Sequence, residues 1–237
     1  MMSYKNASDL KLAIIVPAYN EAQVVCQTLS SIPREYAGVS ETRIVVIDDG
    51  STDATSTEIR RLDYVVPLRH VINRGLGGAL RTGMEWARRW GADIAVTFDA
   101  DGQLNPNDIQ RVIQPLINRE ADVAIGSRLL EAKDMPWYRI VGNWGLNIIT
   151  YVLFSVWTTD SQSGLRAFSS KALEAIHLIS NRMEVSSEII AEIGRNKLRI
   201  EEIPIDCIYN EYSLSKGQSN SNGINIVLNL FFRKVSP

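Results

Sequence analysis

The residues Ile94-Ala95-Val96-Thr97-Phe98 run straight into Asp99-Ala100-Asp101, and this junction limits the folds open to the chain more than any other. A short apolar run without polar alternation reads as a strand buried on both faces, the habit of parallel sheets covered by helices. Open sheets of that kind bind ligands outside the carboxyl ends of their strands. Two carboxylates alternating at such an end can turn toward one hard cation, which would also hold a diphosphate. By itself a D-x-D triplet is weak, because Asp pairs more often bend chains and cap helices. The neighbouring strand ends carry the argument further.

Strand and helix signals alternate through the first half. Strands are expected at 12–16, 43–47, 65–68, 94–98 and 122–125, and helices at 21–32, 53–61, 76–90 and 106–118. Asp53 and the threonines near it can cap the second helix. Asn73-Arg74-Gly75-Leu76-Gly77-Gly78 opens the third, and Pro106 stands in the first turn of the fourth. This rhythm predicts an α/β fold with a mostly parallel, doubly wound central sheet flanked by helices. After Ser127 the regularity breaks. A loop at 128–136 leads to an apolar helix at 140–157 and a short strand at 165–168. Helices at 171–179 and 185–196 and a strand at 199–208 follow. No repeat, low-complexity tract or linker divides the chain, so a single domain over 1–237 is expected.

Of the 237 residues, 45% are hydrophobic and 22% charged, with a net charge of -2. That suits a globular domain and gives no sign of a nucleic-acid partner. Cys26 and Cys207 stand alone in sequence and read as small packing residues rather than a disulfide framework. Met1 to Leu10 is polar and carries no secretory signal, so a cytoplasmic setting is expected. The apolar helix is interrupted by Asn143, Gly145 and Asn147, and does not read as a membrane span. The stretch 224–232, ending in Arg233-Lys234, is amphipathic. Either that stretch lies on a bilayer, or both helices pack against the sheet, a membrane-protein partner or a second copy in a homo-oligomer.

Three strand ends now bear acidic or phosphate-facing residues: Pro17-Ala18-Tyr19-Asn20-Glu21, Asp48-Asp49-Gly50-Ser51-Thr52-Asp53 and Asp99-Ala100-Asp101-Gly102-Gln103. Together they resemble the family-2 glycosyltransferases with the GT-A fold, which are inverting and use nucleotide sugars. The resemblance extends from Leu12 to about Ser219. Gly126-Ser127-Arg128, Trp137-Tyr138-Arg139 and Asp160-Ser161-Gln162-Ser163-Gly164-Leu165-Arg166 narrow it. With these the chain looks most like the polyprenyl-phosphate sugar transferases of the dolichyl-phosphate mannose synthase type. Such enzymes move one sugar from UDP or GDP to a lipid monophosphate at the cytoplasmic membrane face.

The resemblance implies a donor-binding half at 12–127, an acceptor-binding half at 128–219 and an amphipathic C-terminal helix at 223–234. Asp49 would accept a hydrogen bond from the base, and Asp48 would support the turn. Pro17, Ala18, Tyr19 and Glu21 would line base and ribose, with Ala100 beside the donor. Asp99, Asp101 and Gln103, all oxygen donors, would hold Mg2+ or Mn2+. Arg128 and Arg139 would clamp phosphate oxygens, a task suited to the planar guanidinium. Asp160 would be the catalytic carboxylate, as general base or as orienter of an already ionised acceptor phosphate. Arg166 would brace Asp160 or another acid. The mannose synthases place an arginine after the late strand where this chain has Tyr209-Asn210-Glu211-Tyr212, so Lys216 becomes the expected phosphate contact there.

Other features read more plainly. Gly75, Gly77 and Gly78 lack the Lys-Ser/Thr of a P-loop and suggest close packing near the nucleotide. His70 and His177 read as surface or packing residues, and Glu184 and Glu188 as solvated acids. Two alternatives to a polyprenyl-phosphate acceptor remain: transfer to a saccharide hydroxyl of a cell-surface polysaccharide, and a non-catalytic nucleotide-sugar-binding module. A nucleotidyltransferase would show a Gly-rich, basic loop after the first strand, where this chain has Pro17-Ala18-Tyr19-Asn20-Glu21.

Overall fold

The computed structural model describes residues 9–131, 137–206 and 208, with backbone alone at 137–139. The apolar runs become strands β1 (Leu10–Ala18), β2 (Val39–Asp48), β3 (Val65–Arg69), β4 (Ile94–Thr97) and β5 (Val123–Ser127). Between them lie helices α1 (Val25–Ser31), α2 (Thr55–Arg60), α3 (Leu76–Trp90) and α4 (Asp108–Ile117). The second half adds α5 (Trp137–Phe154), β6 (Arg166–Ser169), α6 (Ser170–Ala175), α7 (Val185–Arg195) and β7 (Ile200–Pro204).

All seven strands join one sheet in the order β3-β2-β1-β4-β6-β5-β7. β1, β2, β3 and β4 pair in parallel, and so do β5 and β7, while β6 runs antiparallel between β4 and β5. Residues of the second half are therefore woven between strands of the first. The central strands bury both faces. Leu12, Ile14 and Val16 face a core shared with α1, α2 and α4, whereas Ala13 and Ile15 face one shared with α3, α6 and α7. Helices on both faces of a largely parallel sheet are the doubly wound arrangement expected from the sequence.

Strand order reverses at β1: the chain builds outward through β2 and β3 on one side of it, then crosses over to lay β4 on the other. A crevice opens at such a switch point, outside the carboxyl ends of the strands. Two boundaries differ from the sequence reading there. Residues 21–24 form a turn instead of helix, with Val24 and Val25 N–H both donating to Glu21 O, so α1 starts only at Val25. The last strand stops at Pro204 because the chain then leaves the sheet edge. Asp206 N–H donates to Asp108 Oδ2 and Ile208 N–H to Gln103 O, tying this segment to the loop after the Asp99 pair.

Candidate active site

The sheet edge presents three groups of side chains side by side. At the ends of β1 and β2, Asp49 N–H donates to Ala18 O, continuing the ladder past the last paired residues. Asn20 takes a positive φ of 55° and Ser51 Oγ accepts its N–H, which swings the chain away so that Tyr19 is exposed. Asp48 is buried and its Oδ1 accepts Ser51 N–H, while Arg69 lies 3.3 Å from Oδ2. Asp49 is buried too. Its Oδ1 meets His70 Nδ1 at 2.6 Å and accepts Arg74 N–H at 2.9 Å, and its Oδ2 accepts Gly75 N–H at 2.7 Å.

Asp49 thus caps the entry to α3, the place a phosphate would take in a P-loop. The glycines there serve packing, as their sequence context suggested. A Cβ on Gly75 would lie 2.4 Å from Asn181 O, and one on Gly77 would lie 2.1 Å from Ser180 O. The 179–181 loop that meets them is held by Glu188, which accepts the N–H groups of Ile179 and Ser180 at 2.9 and 2.8 Å. Glu188 is buried, and so corrects the expectation of a solvated acid. His70 corrects a second expectation, because it bridges Asp49 and Thr82 inside the site.

The second group is Asp99 and Asp101 at the end of β4. Burial and the nearby Glu21 carboxylate push Asp99 above the usual carboxylate range, although Arg166 and Arg128 pull the other way. Asp101 is pushed up to about 7, by burial first and then by the charge of Asp99. Its Oδ1 accepts Gln103 N–H at 3.0 Å, and Ala100 between the two acids is buried. Crowding carboxylates until they resist ionisation is costly unless a cation shares the site. That donor set suits a hard divalent ion. Among the described residues no cluster of three or more His, Cys, Asp or Glu side chains could hold a metal, so most of a cation's shell would fall to waters and substrate oxygens.

The third group arrives through β6. Because this strand runs antiparallel, the segment leading into it enters at the edge where β4 and β5 end, and Arg166 registers with Thr97 and Ile125. Gly164 O accepts the Thr97 hydroxyl at 2.8 Å, and the Asp99 carboxylate lies over Gly164. A Cβ there would sit 1.9 Å from Asp99 Oδ2. Asp160 is fully buried. Arg128 grips it in two-pronged fashion, Nε to Oδ2 at 2.7 Å and Nη2 to Oδ1 at 2.8 Å, while Arg128 N–H also donates to Oδ2. Arg166 is buried beside them and donates to Ser161 O at 2.8 Å. Burial lowers Arg166 to about 10 against the pull of Asp160 and Asp99, and its Nε has no hydrogen-bond partner among the described residues.

Side chains that sequence reasoning passed over hold this loop in place. Glu202 on β7 accepts the Thr158 hydroxyl, the Thr159 N–H and the Thr159 hydroxyl on one oxygen. Asn147 on α5 is buried, donates to Thr159 O and accepts Ser161 N–H. Asn147 looked like a polar interruption of an apolar helix, and that interruption was the only signal it gave. Arg139 lies in the first turn of α5, but its side chain is outside the described residues. So are Lys216, Cys207 and the amphipathic stretch at 223–234.

Known proteins resemble the chain in sequence and in fold. The profile of the family described as Glycosyl transferase family 2 matches residues 13–176. The UDP-N-acetylglucosamine–dolichyl-phosphate N-acetylglucosaminyltransferase of Methanococcus voltae is 39% identical, over 96% of this chain and 98% of its own length. An undecaprenyl-phosphate mannosyltransferase of Micrococcus luteus is 30% identical, over 87% of each chain. Glucosyl-3-phosphoglycerate synthase of Mycobacterium tuberculosis, solved with Mn2+ and uridine-diphosphate-glucose, superposes with a TM-score of 0.70 at 18% identity. The match covers 95% of this chain and 79% of that one, and it shows a shared fold.

Proposed function

The chain belongs to glycosyl transferase family 2, and from that premise we propose that it moves a sugar from a UDP- or GDP-sugar to a polyprenyl phosphate, with inversion at the anomeric carbon. One observation carries this reading. The sheet edge sets a pole of carboxyl groups, Asp99 with Asp101, ready to exchange their protons for a cation, beside a pole of guanidinium groups, Arg128 held by buried Asp160 with Arg166 nearby. A diphosphate donor and a phosphate acceptor need such a pair of poles. The names of the Methanococcus and Micrococcus relatives favour a polyprenyl-phosphate acceptor.

Asp99 and Asp101, with Gln103 nearby, would hold Mg2+ or Mn2+, which when bound supplies charge neutralisation for the departing diphosphate. Asp49 receives the base, and Pro17, Ala18, Tyr19 and Glu21 border base and ribose. Arg128 meets phosphate oxygens, and Arg139 and Lys216 are assigned by resemblance to the same task. An oxygen of the acceptor phosphate attacks the anomeric carbon from the face opposite the diphosphate. The new carbon–oxygen bond forms as the bond to the diphosphate breaks, and its electron pair leaves with the diphosphate. That acceptor is already ionised at neutral pH, so the step needs no strong base.

Asp160 fits this chemistry as the anchor that aims Arg128. A sugar hydroxyl acceptor would instead require an accessible base, and Asp160 is buried with both oxygens engaged. The polyprenyl tail places the reaction at a membrane surface. α5 offers a face for it: Val141, Trp144, Ile148, Tyr151 and Val152 are all exposed, with Trp157 against Trp144 and Tyr151. No helix among the described residues is long and apolar enough to cross a membrane.

The test is transfer of labelled sugar from UDP- and GDP-sugars to a short-chain polyprenyl phosphate, with and without Mn2+. Metal-dependent formation of the lipid-linked sugar, lost in Asp101→Ala, supports the reading. Transfer to polysaccharide but not to lipid would overturn the acceptor, and nucleotide binding without turnover would overturn catalysis.

A further inference from the structure

If Asp49 meets the base, as proposed above, its remaining acceptor capacity decides which base fits. An ionised carboxylate offers about four lone-pair positions. On Asp49, Oδ1 already takes His70 Nδ1 at 2.6 Å and Arg74 N–H at 2.9 Å, and Oδ2 takes Gly75 N–H at 2.7 Å. None of these partners is loose. The two amides belong to the entry of α3. The imidazole is nearly buried, with its side chain 9% exposed, and Nε2 lies 2.9 Å from Thr82 Oγ1. The Thr82 hydroxyl also lies 3.0 Å from Gly78 O. An ionised carboxylate only accepts, so the His70 nitrogen facing it is the donor. Among the described residues this leaves one acceptor position, on Oδ2.

Uracil presents a single N–H, at N3, between two carbonyls, and one acceptor satisfies it. Guanine presents N1–H and N2–H side by side, which call for both oxygens of a carboxylate. With Oδ1 filled, one guanine donor would be buried without a partner, which is costly. Cytosine turns an acceptor, N3, toward the carboxylate and is repelled. We propose that His70, by filling Oδ1, makes Asp49 a single-acceptor reader that selects uridine diphosphate donors over guanosine diphosphate donors. His70 is a specificity-determining residue that acts through Asp49.

The experiment measures binding of UDP, GDP and CDP with Mn2+ to the whole chain by calorimetry, for wild type, His70→Gln and His70→Asn. Melting curves confirm that each variant folds. Glutamine places its amide where Nε2 was, so it keeps Thr82 and loses Asp49. Asparagine places its amide where Nδ1 was, so it keeps the bond to Asp49. Wild type is expected to bind UDP at least about tenfold more tightly than GDP, with CDP weakest. The UDP-to-GDP ratio should shrink toward unity in His70→Gln and hold in His70→Asn, a change that simple destabilisation would not produce. Equal binding of UDP and GDP by wild type, or an unchanged ratio in His70→Gln, overturns the proposal and leaves the donor site standing. Failure of wild type to bind any of the three overturns the donor-site reading itself, and the role of His70 with it.

Discussion

At the scale of single residues, the site depends on contacts too close to tolerate another atom. Gly164 is the clearest case, because the Asp99 carboxylate occupies the volume its Cβ would need. Gly164→Ala should push Asp99 off its position while leaving the donor-side cap at Asp49 intact. The stabilisation that Mn2+ adds to bound nucleoside diphosphate should largely vanish in thermal-shift measurements, with nucleotide alone still bound. Asp101 supplies a second expectation, with its sign set by the raised value of about 7 against an ordinary 3.8. Between those values the unfolded chain has released the proton and the folded chain retains it. Metal-free protein should therefore lose stability as pH rises from about 4 to about 7 and then level off. Mn2+ titrated into the protein should bind more tightly as pH climbs over the same range, because proton and metal compete for one carboxylate. Urea melts at a series of pH values, with and without Mn2+, read both effects. The Asp pair could be picked out from sequence because acids follow an apolar run. Gly164 and His70 could not, because their importance comes from what lies against them in space.

At the scale of elements, α5 and β6 do what no local pattern announces. α5 turns Asn147 and Thr150 inward, the latter to Ser187 on α7, and carries aromatic residues outward. Asn147→Leu would leave Thr159 O and Ser161 N–H unpartnered beside Asp160, at a cost of about 1–3 kcal/mol for each group. Denaturant melts should show the loss, and turnover should fall by more than donor affinity because the displaced loop holds Arg128. At the other edge of the sheet, Asp122 receives Arg199 and Lys171. Burial would raise its pKa, but hydrogen bonds from Arg199 and Lys171 outweigh it and hold the carboxyl down to about 2. A depressed value stabilises the fold above the ordinary 3.8, and that contribution is lost as pH falls through about 2. Asp122→Asn should cost about 1 to 2 kcal/mol at neutral pH, discounted for the exposure of both basic partners, and almost nothing near pH 2. Paired chemical melts at the two pH values check this.

At the scale of the whole molecule, the exposed face of α5 and the proposed acceptor site are parts of one structure, since the helix that shows Trp144 and Tyr151 outward holds the Asp160 loop inward. The chain should sediment with anionic lipid vesicles, and replacing Trp144, Tyr151 and Trp157 by alanine should weaken that binding by about tenfold or more, given the apolar area removed. Sedimentation unchanged by the triple substitution would assign membrane contact to another surface. The alternation of apolar runs with amphipathic helices was enough, from sequence alone, to specify a doubly wound sheet and to put three acidic turns at its carboxyl edge. Burial and chain connectivity act locally in such units, so strand and helix periods record them. The antiparallel insertion of β6 was beyond that reach. A four-residue strand has the same pattern in either direction, and only pairing with β4 and β5 fixes its sense. That one choice brings Asp160, Gly164 and Arg166 to the edge where Asp99 and Asp101 end. The site's acids are written in the sequence, whereas its arrangement of charge comes from strand pairing across distances that no local pattern encodes.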